Sequence, residues 1–237
     1  MKLTRSLSAA ATAVALSAFA LTPGFAQEST TPAAPAGETT APANQQAQAS
    51  TQSTSEMPQG NVLPDIVLGQ ENAPVTMIEY ASFTCSHCRD FHNENFKKLQ
   101  AEYIDTGKVK FVQRDIYFDA VGLWAGVLAR CGGDAKYYPM ADLLFSQQQT
   151  WLAGKTGDEI AANLRKIGAQ AGMTTEQMDA CWADKQKVAD LVATFQKNAG
   201  GDQIEGTPTF MIGGEKVMNQ PWEDMKKVID AKIAAAG

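Results

Sequence analysis

Apolar positions alternate with polar ones in a few short stretches of this chain and follow a helical period almost everywhere else beyond residue 80. Residues 66–68 and 75–80 (Val-Thr-Met-Ile-Glu-Tyr) read as strands separated by a turn from Gly69 to Pro74, and 109–113 reads as a third strand. Between the second and third, the spacing predicts a helix over 85–103 with Phe91, Phe96 and Leu99 buried. Strand, helix and strand at this distance make a βαβ unit with a right-handed crossover and parallel strands. From Asp119 to Gly200 the pattern changes to helical pieces punctuated by glycine, over 121–131, 137–147, 158–171, 174–182 and 185–199. Thr174 and Gln177 have the spacing of a capping box. Two short strands follow at 209–212 and 215–218, joined by Gly213-Gly214, a strong hairpin signal. A final helix over 222–235 places Pro221 at its first position. The pattern predicts an α/β fold interrupted by an all-helical block over about 119–200.

Composition adds an envelope to this pattern. Residues 1–26 have the three zones of a secretory signal peptide: Lys2 and Arg5, an apolar stretch from Leu7 to Leu21, and small residues ending at Ala26, where cleavage is expected. The apolar zone is shorter than the ~20 residues of a spanning helix and is interrupted by Ser and Thr. Residues 27–60, nearly all Gln, Ser, Thr, Ala and Pro, cannot bury enough apolar area to offset their ordering entropy and read as a disordered tether. They carry no apolar heptad for oligomerisation, so a monomer is expected. Residues 62–237 then form the folded domain. A formal net charge of -6 argues against nucleic acid as a partner.

The candidate chemistry lies where the second strand meets the first helix, at Cys85-Ser86-His87-Cys88. A sulfur at a helix N-terminus is stabilised as thiolate by unpaired amides, and a second sulfur one turn on is within bonding reach. Such a dithiol opens and closes as a disulfide. His92 lies on the same helix face, so Cys85, Cys88 and His92 offer a possible metal-ligand trio, against the plainer reading of a packed, hydrogen-bonded histidine. Cys131 and Cys181 complete an even count of four in a chain that reads as exported. They pair as a second disulfide or stay as separate buried thiols.

The order βαβ, helical block, ββα resembles thioredoxin-fold proteins of the DsbA family, secreted thiol:disulfide oxidoreductases with a helical domain inserted into the thioredoxin fold. The resemblance covers nearly everything from Val62 onward and is carried by Glu79-Tyr80-Ala81-Ser82-Phe83-Thr84-Cys85-Ser86-His87-Cys88 together with Gly206-Thr207-Pro208-Thr209-Phe210. It implies that Cys85 is the nucleophile and Cys88 the resolving thiol. His87, just before the second cysteine, goes with strong oxidants, and Glu79 stands where a buried carboxyl relays the inner cysteine's proton. The resemblance also implies that Pro208 is cis and faces the dithiol, with Thr207 offering its backbone to an extended substrate segment. Ser86 departs from the proline often found at its position. The activity so implied is a periplasmic oxidase that donates the Cys85–Cys88 disulfide to exported, reduced proteins and is restored by a membrane redox partner, with no cofactor beyond the disulfide. A reductase or isomerase, or a metal-handling dithiol protein, remain the alternatives.

Overall fold

The structure, a computed structural model, describes residues 57–237. The 1–26 leader and most of the 27–60 tether lie outside the described residues. At its end the stretch departs from a free tether. Gln186 Nε2 donates to the Gln59 carbonyl at 3.0 Å, and the Asn61 amide donates to Asp190 at 2.6 Å. Polar side chains of a distant helix hold this backbone, an interaction that local composition does not register.

Five strands, β1 (Val67–Leu68), β2 (Val75–Ala81), β3 (Val109–Asp115), β4 (Thr209–Ile212) and β5 (Glu215–Met218), form one sheet in the order β1-β3-β2-β4-β5. β2 and β3 run parallel, from Val75 opposite Val109 to Ala81 opposite Asp115, as the βαβ pattern predicts. The remaining pairings are antiparallel. β2 is the middle strand and is covered on both faces, so it reads as an almost continuous apolar run. Its one charged residue is Glu79, wholly buried between Gln113 of β3 and Phe210 of β4.

The crossover helix α1 (86–104) is less regular than its sequence suggests. Ser86–Phe91 and Lys97–Leu99 are α-helical, whereas His92–Phe96 and Gln100–Ile104 are wound as π-helix. Cys85 stands just outside, as the N-cap, with φ -81° and ψ 122°. The predicted start at 85 therefore moves by one residue, because the cysteine's carbonyl enters the helix while its own backbone remains extended.

The inserted block contains α2 (Ala120–Cys131), α3 (Asp134–Ser146), α4 (Gln148–Trp151), α5 (Gly157–Gln170), α6 (Thr175–Ala183) and α7 (Lys185–Gly201). Caps set their starts. Asp119 accepts from the Gly122 amide at 2.7 Å, Thr174 and Gln177 form the predicted capping box, and Asp184 accepts from the Lys187 amide at 3.0 Å. α4 escapes sequence reading because one turn is too short to show a period. The last helix, α8 (Trp222–Ala236), begins after Pro221, which is its N-cap and not its first helical residue.

Apolar burial divides into two clusters. One lies under the sheet among Met77, Leu99, Phe111, Phe210 and Ile229. The other fills the helical block around Leu128, Leu144, Phe145 and Trp151, and reaches out to Phe83 and Cys88. The Cys85–Cys88 turn is thus set where the inserted block meets the sheet.

A disulfide joins Cys131, at the end of α2, to Cys181 in α6, with 5.9 Å between their Cα atoms and 50 residues between them in sequence. Closing a loop of this length is worth about 4 kcal/mol in the chain-entropy model. Replacing both cysteines by serine is therefore expected to lower the unfolding free energy by about that amount, read from denaturant midpoints. Unchanged midpoints would show that the bridge adds nothing.

Candidate active site

The chain leaves β2 at Ala81 and turns through Ser82, Phe83 and Thr84 to the Cys85 N-cap. Polar contacts fix the turn from both sides. The Cys85 amide donates to the Ser82 carbonyl at 3.0 Å, and Thr84 Oγ1 donates to Asp119, the α2 cap, at 3.2 Å. From α4, Gln148 Nε2 donates to the Phe83 carbonyl at 2.8 Å and to the Cys85 carbonyl at 2.9 Å. Gln148 is buried, and it ties the two carbonyls together, although the Cys85 carbonyl also accepts from the Arg89 amide at 3.2 Å.

The two sulfurs of this turn occupy different environments. Cys85 is partly exposed and Cys88 fully buried, both as free thiols in this structure. The Cys85 thiol is brought down from 9.0 to about 5. The Cys88 thiol hydrogen-bonds to it first of all, the Thr207 side chain adds another bond, and the Cys88 and His87 amides at the open end of α1 complete the set against the opposing effect of burial. When protonated, Cys85 Sγ instead donates to the Thr207 carbonyl at 3.5 Å. Cys88 moves the other way. Burial pushes its thiol far up, assisted by the hydrogen bond to Cys85 and by the charges of Glu79 and Cys85. One helical turn therefore holds an easily ionised, reachable sulfur beside a sequestered sulfur that keeps its proton.

The other residues singled out by sequence fall around this turn. The Thr207–Pro208 bond is cis, Pro208 is buried, and Thr207 faces Cys85. His87 is exposed and lines a groove of about 270 Å³ with Thr207, Pro208, Met218 and Asn219. It acts on Cys85 through its backbone amide. Glu79 lies beneath, close enough for its charge to act on Cys88, and its Oε2 is 3.0 Å from His92 Nε2. His92 is engaged there and not with the sulfurs, so Cys85, Cys88 and His92 do not form the trio their spacing allows; among the described residues no group of three metal-type ligands converges. Cys131 and Cys181 lie in the inserted block, away from this turn.

Gln148 is the site residue that sequence reading misses. The signal was present: Ala141, Leu144, Phe145, Gln148 and Trp151 share one helical stripe, and the amide is the polar member of a core-facing row. A second feature emerges only in three dimensions. A groove of about 410 Å³, walled by Ile116, Phe118, Phe195 and Ile204, ends at Gly206 beside Thr207. Phe118 in this groove and Met218 in the groove with His87 and Thr207 are 59% and 62% exposed, so both grooves that meet at Gly206 carry a large exposed apolar side chain.

The thioredoxin family model matches residues 61–231. A Rickettsia bellii relative named for protein-disulfide oxidoreductase activity is 30% identical over 170 residues, covering 71% of this chain and 64% of its own length. The chain thus spans under two thirds of that relative. Disulfide bond formation protein D of Bacillus subtilis is 24% identical, covering 70% of this chain and 76% of that protein. Among solved structures, alpha-DsbA1 of Wolbachia pipientis superposes with a TM-score of 0.68 at 28% identity, covering 74% of this chain and 94% of that one.

The lowered Cys85 pKa couples redox state to stability. Its ionisation favours the folded reduced protein fully above pH 9, and the contribution fades as pH falls, vanishing below about 5. The oxidised form has no such proton, and burial keeps the Cys88 thiol protonated in the folded reduced protein while in the unfolded chain it ionises only toward the top of this window, near its ordinary value of 9.0. The stability of reduced over oxidised protein is therefore expected to fall from pH 9 to pH 5, measured as the difference in denaturant midpoints. A difference that is flat across this window, or rises as pH falls, would contradict the assignment.

Proposed function

Because the chain belongs to the thioredoxin family, in the DsbA-type form with a helical block inserted into the fold, we propose that it is a thiol:disulfide oxidoreductase that donates its Cys85–Cys88 disulfide to exported, reduced proteins. The observation that carries this reading is the contrast between an ionisable Cys85 and a buried Cys88. A thiolate stabilised in the reduced form makes the disulfide a stronger oxidant, and a low pKa makes Cys85 a good leaving group.

The chemistry balances as two displacements. A substrate thiolate attacks Cys85 Sγ, the Cys85–Cys88 bond breaks, and its electron pair goes to Cys88 Sγ, which takes up a proton. A second substrate thiolate then attacks the substrate sulfur of the mixed disulfide, forming the substrate disulfide and releasing Cys85 as thiolate. Two electrons pass to the enzyme and no dissociable cofactor takes part. A membrane redox partner withdraws them and restores the Cys85–Cys88 bond.

Unfolded proteins suit this surface because they present extended backbone to Thr207 and apolar side chains to the ground flanked by Phe118 and Met218. The leader-like composition of residues 1–26 supports a periplasmic location, where disulfides persist. His87 and Glu79 are assigned supporting roles: the former at the open end of α1, the latter beside Cys88.

Equilibration with glutathione buffers tests the direction. A potential of about -120 to -200 mV is expected, whereas one near thioredoxin's, about -270 mV, rejects the oxidase reading in favour of a reductase. In cells, Cys88→Ala is expected to accumulate mixed disulfides through Cys85 that disappear in the Cys85→Ala/Cys88→Ala double variant. Equal adduct levels in both variants would remove Cys85 as nucleophile.

A further inference from the structure

Cys88 leaves as a buried sulfur that must be protonated when the disulfide opens, and no solvent reaches it directly. Glu79 is the acid close enough for its charge to act on Cys88, yet Glu79 is itself wholly buried in the middle strand of the sheet. A buried acid serves repeated turnovers only if its own proton is replaced. His92 is the group placed to do this. Its Nε2 lies 3.0 Å from Glu79 Oε2, while Glu79 Oε1 is buried with no hydrogen-bond partner among the described residues. His92 retains 5% exposure, more than either Glu79 or Cys88.

The imidazole is also held in one orientation. It stacks between Phe145, at 4.0 Å and 17°, and Phe96, at 4.8 Å and 26°, with Phe91 against it edge-on. It begins the first π-wound stretch of α1, a local irregularity that recurs at functional sites. Packing alone gives little reason for this arrangement. A phenylalanine would fill a slot between two aromatic rings, and burying a histidine and a carboxyl together costs more in desolvation than such a pair commonly returns in stability.

We propose that His92 is a positioning residue that orients Glu79 and resupplies its proton, forming the outer member of a His92–Glu79–Cys88 relay. This rests on the disulfide-exchange reading above. As the Cys85–Cys88 bond breaks, the Glu79 carboxyl passes a proton to Cys88 Sγ from Oε1, His92 Nε2 returns one to Oε2, and the imidazole takes one up at Nδ1, its other ring nitrogen, so that the ring stays neutral. On reoxidation the same path runs backwards, with Cys88 giving its proton to Glu79 as its sulfur attacks.

The test is the rate at which dithiothreitol reduces the oxidised protein, compared in light and heavy water for parent, His92→Gln, Glu79→Gln and the double variant. General acid assistance of this kind is worth ~100-fold or more when fully lost, so His92→Gln is expected to slow the reaction at least about tenfold and to lose the parent's solvent isotope effect. Because His92 acts through Glu79, the double variant is expected to be no slower than Glu79→Gln alone. His92→Phe keeps the ring stack and gives the same comparison should His92→Gln fail to accumulate as folded protein. A rate within about twofold of parent, an unchanged isotope effect, or slowdowns that multiply in the double variant overturn the proposal. Dithiothreitol opens the disulfide whichever way the protein works in the cell, so this result stands apart from the glutathione equilibrium.

Discussion

Two sulfurs one helical turn apart lie on opposite sides of the boundary between solvent and core, and the site's chemistry follows from that placement. At the mouth of α1, Cys85 collects the hydrogen bonds that stabilise negative charge, whereas Cys88 enters the apolar cluster of the inserted block. The hydrogen bond between the two sulfurs works in both directions at once, lowering one thiol and raising the other. A helix start alone would lower the first pKa. Burial of the second sulfur by a separate structural unit is what makes the pair asymmetric.

That requirement gives the helical insertion a mechanical role beyond adding surface. Gln148 binds the carbonyls on either side of the turn, and Asp119 caps α2 while holding Thr84. Behind them the end of β3 is tied to the same block. Asp115 accepts from Tyr137 at 2.5 Å, from Gln113 at 3.0 Å and from Tyr117 at 3.3 Å. Burial pushes the Asp115 carboxyl up, and the Arg130 charge and these hydrogen bonds oppose it. On the other side, Arg114 reaches Asp65, Asp202 and the Tyr80 hydroxyl, pinning the N-terminal segment and the end of α7 to neighbouring strands. These buried and half-buried polar contacts favour one docking of the block on the sheet, and with it one depth for Cys88.

Much of this was legible in the sequence, for a physical reason. The strands and their parallel βαβ pairing, the inserted block and the dithiol are written in local patterns, such as the apolar run of β2, the capping box at Thr174 and the Gly213-Gly214 hairpin. What escaped depends on partners far apart in the chain. His92 was legible as a packed, hydrogen-bonded histidine, but Glu79 as its partner is set by the winding of α1 over β2. Gln148 is one polar residue on an apolar stripe, and only the turn it meets explains it. The π-wound stretches have no composition of their own, and the pinning of Gln59 comes from a helix over a hundred residues away.

The division of labour between the sulfurs separates what sets the equilibrium from what sets the rate. The charge-stabilising groups around Cys85 act on an ionised state that persists after reaction, so they shift the balance between dithiol and disulfide. Around Cys88 the problem is different, because its thiol stays neutral throughout the physiological range and the question is how a proton arrives and leaves. Placing an acid in the central strand is costly, and pairing it with a histidine between two phenylalanines adds further desolvation. Such a cost is tolerable in a sheet whose middle strand is paired along both edges, since neighbouring backbone cannot give way to let water in. The rigidity of β2 thus lets the fold keep a polar pair at its centre, beneath a fully buried thiol.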